Sequence, residues 1–264
     1  MAVDTGGMSA EHPWRRYVAI GDSFTEGIGD PLPDDSGGHR GWADRVAEVL
    51  ASQTEDFAYA NLAIRGRLLQ GIWDEQVPAA LALRPDLISV SAGGNDMLRP
   101  GSDPDEVASR LDAMIGQLRG DGVTVFVFTG PDIGMTPVMR AIRGKVAIFN
   151  ENVHALAQRH DAIVVNMWAL RELANPQMWA EDRLHFSPLG HHTIARAVLK
   201  ALNVPNSLEP LTPEPLPPQS WRKARADDLV WTREHLVPWV LRRITGRSSG
   251  DGVQPKRPRL APLD

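Results

Sequence analysis

Short apolar runs alternate with longer stretches of helical periodicity along most of the chain. Residues 17–20, 57–61, 87–91, 124–128 and 162–166 are almost continuously apolar and bounded by turn-forming residues, which predicts five strands buried on both faces. Between them, 42–50, 71–83, 104–118 and 137–158 carry apolar positions at the 3.6-residue period of a helix. A last helix is expected over 188–202, with Ser187 as its N-cap and Pro188 at the favoured first position. Strands alternating with helices imply right-handed βαβ units, hence an α/β fold: a parallel sheet sandwiched between two helical layers.

The regularity ends after Leu202. Pro205, Pro210, Pro213, Pro215, Pro217 and Pro218 crowd the next stretch, the composition of a stiff linker. From Ser220 to Ile244 the pattern is helical again, interrupted at Pro238, with Ala226, Val230, Val237, Leu241 and Ile244 tracing one apolar stripe. Residues 246–264 have the Gly, Ser, Pro and charge content of a disordered tail. The chain therefore divides into an arm (1–16), a body (17–204) and an extension (205–264).

Charge sharpens this division. The 264 residues sum to −5, but residues 1–218 balance at −10 and residues 219–264 at +5. An acidic body argues against nucleic acid as a partner. For 220–244 two readings stand. The stripe packs back on the acidic body, or the basic, Trp-bearing segment makes a weak contact with an anionic membrane surface. The N-terminal residues lack the apolar core of a secretory signal and no run is long enough to span a bilayer, so the expected location is cytoplasmic. There is no cysteine, which removes disulfides, thiolate metal sites and a cysteine nucleophile from consideration.

Four segments, each following an expected strand, hold candidate chemistry. In open parallel sheets, ligands bind beyond the carboxyl ends of the strands, where distant loops converge. Gly21-Asp22-Ser23 follows the first strand; alone it is an ordinary turn, and without a lysine it makes a poor phosphate loop. Gly66, after the second strand, either supplies a positive φ or turns a backbone N–H towards a ligand. Gly93-Gly94-Asn95-Asp96, after the third, offers the Asn95 amide beside a closely approachable backbone, or simply a helix cap. No second carboxylate or histidine stands at ligand spacing from Asp96, so no metal or other cofactor is expected. Asp182 and His185, three residues apart before the last helix, are either surface neighbours or a carboxylate orienting an imidazole.

In this order and at these strand ends, the four segments together resemble the SGNH (GDSL) hydrolases, an esterase and lipase family. The resemblance spans about residues 17–202. It implies a five-stranded parallel sheet of flavodoxin-like order 2-1-3-4-5 and no cofactor. It implies Ser23 as the nucleophile, His185 as its base and Asp182 as the orienter. The backbone N–H groups of Ser23 and Gly66 and the side chain of Asn95 would form the oxyanion hole. The expected activity is carboxylic-ester hydrolysis on a small-molecule ester. A carbohydrate-ester deacylase, a thioesterase or lysophospholipase, and an interaction protein working through its basic tail stay open. Met135, Met139, Met178 and Trp179, on the loops after the fourth and fifth strands, are candidates for an apolar acyl pocket or for the core.

Overall fold

Alternate residues of the first strand point into opposite layers, and both are dry. β1 (Arg16–Ile20) sends Tyr17 and Ala19 into one hydrophobic core and Val18 and Ile20 into the other. The protein is described by a computed structural model over residues 12–34, 37–120, 122–132, 137–217, 220–238 and 248–263. β2 (Ala58–Asn61), β3 (Leu87–Val90), β4 (Thr124–Phe128) and β5 (Ile163–Val165) join β1 in parallel. Their order is 2-1-3-4-5, as the family resemblance implied.

The helices are α1 (Ser23–Glu26), α2 (Gly41–Ser52), α3 (Leu69–Gly71), α4 (Val77–Ala82), α5 (Gly94–Met97), α6 (Pro104–Leu118), α7 (Pro137–Arg159), α8 (Pro188–Ala201) and α9 (Trp221–Trp231). Trp42 and Leu50 of α2 pack with Ile194 and Val198 of α8 on one face of the sheet. Val77, Leu111, Met114 and Val153, from α4, α6 and α7, cover the other. Full burial of each such side chain contributes about 1.5–3 kcal/mol. Ser187 caps α8 by accepting from Gly190 N, with Pro188 in its first turn, as the sequence suggests. Among the described residues, no helix is long and apolar enough to cross a membrane.

The sheet departs from the expected five strands in one respect. A sixth, β6 (Arg257–Ala261), pairs antiparallel with β2, placing Ala261 opposite Tyr59 and Arg257 opposite Asn61. Residues 257–261 of the tail expected to be disordered therefore form an edge strand. Pro258, Arg257 and Arg259 hide it from a propensity reading, yet proline and charge are features of edges, where one side of the strand needs no partner. The proline-rich stretch is also held to the body: Gln177 Nε2 donates to Glu214 O at 2.7 Å, and Arg196 Nε to Leu208 O at 2.8 Å.

Of the apolar stripe, the two residues whose side chains are described are exposed. Val230 is 53% exposed and Val237 47%, while Leu241 and Ile244 lie outside the described residues. α9 docks through a different face. Trp231 Nε1 donates to Asp182 O at 2.9 Å, and Asp228 pairs with Arg183 at 2.7 Å.

Candidate active site

β1 has β2 on one side and β3 on the other, so the chain leaves it in opposite directions and a crevice opens at the carboxyl ends. Gly21 follows β1 there. A Cβ at Gly21 would stand 2.6 Å from Thr25 Oγ1 and 2.8 Å from Ser91 O, so only glycine lets the turn pass so close to β3. Gln76, buried to 3% exposure, grips this peptide from both sides: its Oε1 accepts from Gly21 N at 2.8 Å and its Nε2 donates to Gly21 O at 2.9 Å. It closes a π-helical turn, Ile72–Gln76, between α3 and α4. Such turns often accompany functional sites. Asp22 then caps α1, accepting from Phe24 N at 3.1 Å, and Ser23 begins the helix.

His185 is presented by a tight loop before α8. Asp182 Oδ1 accepts from the N–H of Leu184 at 2.9 Å and of His185 at 3.0 Å, while Oδ2 accepts from His185 Nδ1 at 2.5 Å. Because the carboxylate can only accept, Nδ1 carries the proton and Nε2 is left as an acceptor. The Ser23 hydroxyl donates to that Nε2 across 3.0 Å. Burial alone would raise the Asp182 pKa, but the His185 hydrogen bond and charge outweigh it and hold the carboxyl far below the usual range. Arg183 adopts a left-handed backbone (φ 54°) between these two residues, a strained conformation for a non-glycine.

Asn95, in α5, reaches the same spot. Its Nδ2 donates to Asp22 Oδ2 and to Arg67 O, each at 3.0 Å, so both amide hydrogens have partners. Asp22 thus ties Asn95 to the turn that bears Ser23. Burial pushes the Asp22 carboxyl up to about 6, against the pull of the Phe24 N–H. Gly66 does not line the cavity at this site; its loop enters through Arg67 O. Gly66 has φ 74°, and a Cβ there would lie 2.4 Å from Ser248 Oγ. Asn61, fully buried, shapes this loop by donating to Thr25 O and accepting from Ala63 N.

Beside Ser23 and His185 opens a cavity of about 220 Å³. Met139 and Trp179 line it, but Met178 does not: it is 3% exposed and packs in the core beneath α8. Met135 lies outside the described residues. Phe128, Ile142, Val146, Phe149, Met97 and Met167 add apolar wall. Most are strand or helix positions whose apolar pattern announces burial but not which of them border a void.

A model of the GDSL-like Lipase/Acylhydrolase family matches residues 19–193. The fold is similar to that of TesA, at 24% identity over 71% of this chain and 98% of that chain, with a TM-score of 0.60. LAE5, an alpha/beta hydrolase enzyme from the metagenome of Lake Arreo, Spain, is similar at 21% identity over 73% and 97%, with a TM-score of 0.60. So is a catalytic mutant of Axe2, an acetylxylan esterase from Geobacillus stearothermophilus, at 20% identity over 71% and 94%, with a TM-score of 0.58. No curated protein matches the chain by sequence.

Proposed function

The chain belongs to the GDSL-like lipase/acylhydrolase family, and from that premise we propose that it is a serine hydrolase cleaving carboxylic esters of short to medium acyl chains. The observation that carries the mechanism is the continuous relay from Asp182 through His185 to the Ser23 hydroxyl, with hydrogen bonds of 2.5 Å and 3.0 Å. A serine hydroxyl is a weak nucleophile until a base takes its proton. In this reading Ser23 Oγ attacks the carbonyl carbon while His185 Nε2 accepts the proton, and Asp182 stabilises the imidazolium. The tetrahedral oxyanion is met by the Ser23 N–H and Asn95 Nδ2, which line the cavity, and, by the family resemblance, by the Gly66 N–H from the adjoining loop that carries Arg67. His185 returns the proton to the leaving alkoxide, and water then releases the acyl group from Ser23 by the same path.

Asn95 enters this scheme already bonded to Asp22 and Arg67, so an oxyanion must share or replace one of those acceptors. The negative Asp22 carboxylate orients the amide before substrate arrives. The apolar wall of the cavity supports an acyl chain as its occupant. That favours an acyl ester or thioester over a small polar carbohydrate ester.

A serine-directed phosphonate should add one label, at Ser23, and abolish esterase activity. Labelling elsewhere with Ser23 untouched refutes the mechanism. With p-nitrophenyl esters, kcat/KM should rise from acetyl to hexanoyl, whereas an optimum at acetyl overturns the acyl-chain assignment. Any weak contact with a membrane falls to the outward side of α9, where Leu229 and Val230 are exposed among Arg222, Lys223, Arg225 and Arg233. Co-sedimentation with anionic liposomes tests it.

A further inference from the structure

The last described segment, 248–263, lies beyond the family match, which ends at residue 193, yet it returns to the site. Its first turn is braced by its own side chains: Ser248 N donates to Asp251 Oδ2 at 3.0 Å and Gly250 N to Ser248 Oγ at 3.1 Å. That turn lies directly on the loop bearing Gly66. A Cβ on Gly250 would fall 2.1 Å from Arg65 O, so there the two backbones touch with no room for a methyl group, and one on Gly66 would fall 2.4 Å from the Ser248 side-chain Oγ. Beyond the turn, the chain is anchored twice. Lys256 Nζ donates to His39 O at 3.0 Å, Arg40 O at 2.7 Å and Asp44 Oδ2 at 2.9 Å, and β6 then pairs with β2, the strand that leads into the Gly66 loop.

The other side of the loop meets the site. Arg65 N donates to Glu26 Oε2 at 2.6 Å, the Arg65 guanidinium pairs with the same carboxylate, and Arg67 O accepts from Asn95. The loop is thus clamped between the body, through Glu26 and Asn95, and a C-terminal arm (residues 248–261), through Ser248 and Gly250. None of the arm residues borders the acyl cavity.

We propose that the arm formed by residues 248–261 is a positioning element for the oxyanion loop, holding Gly66 and Arg67 so that the Gly66 N–H and the Asn95 amide meet the transition state. This rests on the reading of Gly66 and Asn95 as oxyanion donors. An element that acts only on the oxyanion changes kcat and leaves substrate binding alone. Lys256 is the anchor to loosen, and Gly250 is the contact to crowd.

The test uses the full-length chain carrying Lys256→Met or Gly250→Ala, assayed below the melting temperature of each variant. In both, kcat should fall by about tenfold or more while KM stays within about twofold, a share of the 10²–10³ effect of losing a whole oxyanion donor. Hydrogen exchange in Lys256→Met should quicken over residues 62–67 and not over the cavity-lining residues 142–149. Folded variants with unchanged kcat, or with KM rising as kcat falls, overturn the proposal. If one variant does not fold, the other decides by the same two readouts. A different pattern marks failure of the underlying reading: Asn95→Ala retaining full kcat removes the oxyanion assignment itself, whatever the arm variants do.

Discussion

The body and the extension are held in place by different kinds of interaction. The body places Ser23, Asn95 and His185 on turns at the ends of strands, and those strands are buried on both faces by two hydrophobic cores. The extension has little core of its own. It is attached at separate points: Lys256 among backbone carbonyls, β6 along one sheet edge, Trp231 on Asp182 O, and Glu214 O under Gln177. One of those points, Trp231, touches the loop that bears His185, and the Ser248–Gly250 turn touches the loop that bears Gly66. Buried apolar area fixes where the reacting groups can be, while a few polar contacts from a dispensable-looking tail adjust how firmly their loops stay there. Loss of a core contact should therefore act on folding, and loss of an attachment on rate.

The strongest effect expected from one donor in the body is at Asn95. Asn95→Ala should lower kcat by roughly 10²–10³ with little change in KM, because in the proposed mechanism its bond to the oxyanion is made mainly in the transition state. Steady-state kinetics on a p-nitrophenyl ester measures both constants. The comparison sharpens if the arm variants fall short of Asn95→Ala, since positioning a donor should cost less than deleting one. A large rise in KM with kcat intact would make Asn95 a substrate-binding group instead.

Acid sensitivity should also belong to the body, through two groups of opposite sign. Burial pushes the His191 pKa down, with Nε2 bonded to Ile28 O and Nδ1 accepting from Trp42 N. The folded state then holds fewer protons than the unfolded one, so stability falls as pH drops below about 6.5. Asp22 works the other way: its pKa, raised to about 6, makes the folded state take up a proton first, so stability rises as pH falls from there towards the unfolded value of about 3.9. Thermal melts at pH 7 and pH 5 should show a smaller acid loss in His191→Gln and a larger one in Asp22→Asn. The Arg183–Asp228 pair that holds α9 is 39% and 60% exposed and solvent-screened, so breaking it should cost little stability. A slope that follows the extension would reverse the assignment.

How much of this was legible in the sequence follows the same division. Burial writes a periodic signal, so all five parallel strands and the layers around them could be read from apolar spacing. Ser23, Asn95, Asp182 and His185, which the structure brings within hydrogen-bonding reach of one another or of a shared turn, were singled out by their order at strand ends and the family resemblance it carries. Gln76 could not: one glutamine on an apolar helix face gives no hint that it grips Gly21 from both sides. Its only trace is polarity at a buried position. Nor could the arm be read, since Lys256, Ser248 and Gly250 act through backbone atoms of distant residues, and such contacts put no constraint on local composition. Met178 stayed open between pocket and core for the converse reason. A methionine beside a site-forming loop looks the same whether it borders the cavity or, as here, the core.

The smallest effect should come from α9, where the expected and observed docking faces differ. The sequence stripe would put Val230 against the body, but Val230 is 53% exposed and its neighbour Leu229 72%, whereas Trp231 Nε1 donates to Asp182 O. Arg183 lies over the Trp231 ring at 5.1 Å, so the indole holds the His185 loop by a hydrogen bond and a cation–π contact together. Trp231→Phe keeps an aromatic face for Arg183 and removes only the N–H. It should cost about 0.5–1.5 kcal/mol, the net worth of one hydrogen bond. Because Asp182 keeps its two backbone donors and its bond to His185, kcat should change by less than the arm variants change it. Leu229→Ser, on the outward side, should leave the melting temperature where it was, since an exposed leucine has little burial to lose. Chemical denaturation of the two variants orders them directly. If Leu229→Ser is the more destabilised, the helix docks through the side that bears Leu229 and the contact between Trp231 and the His185 loop is incidental.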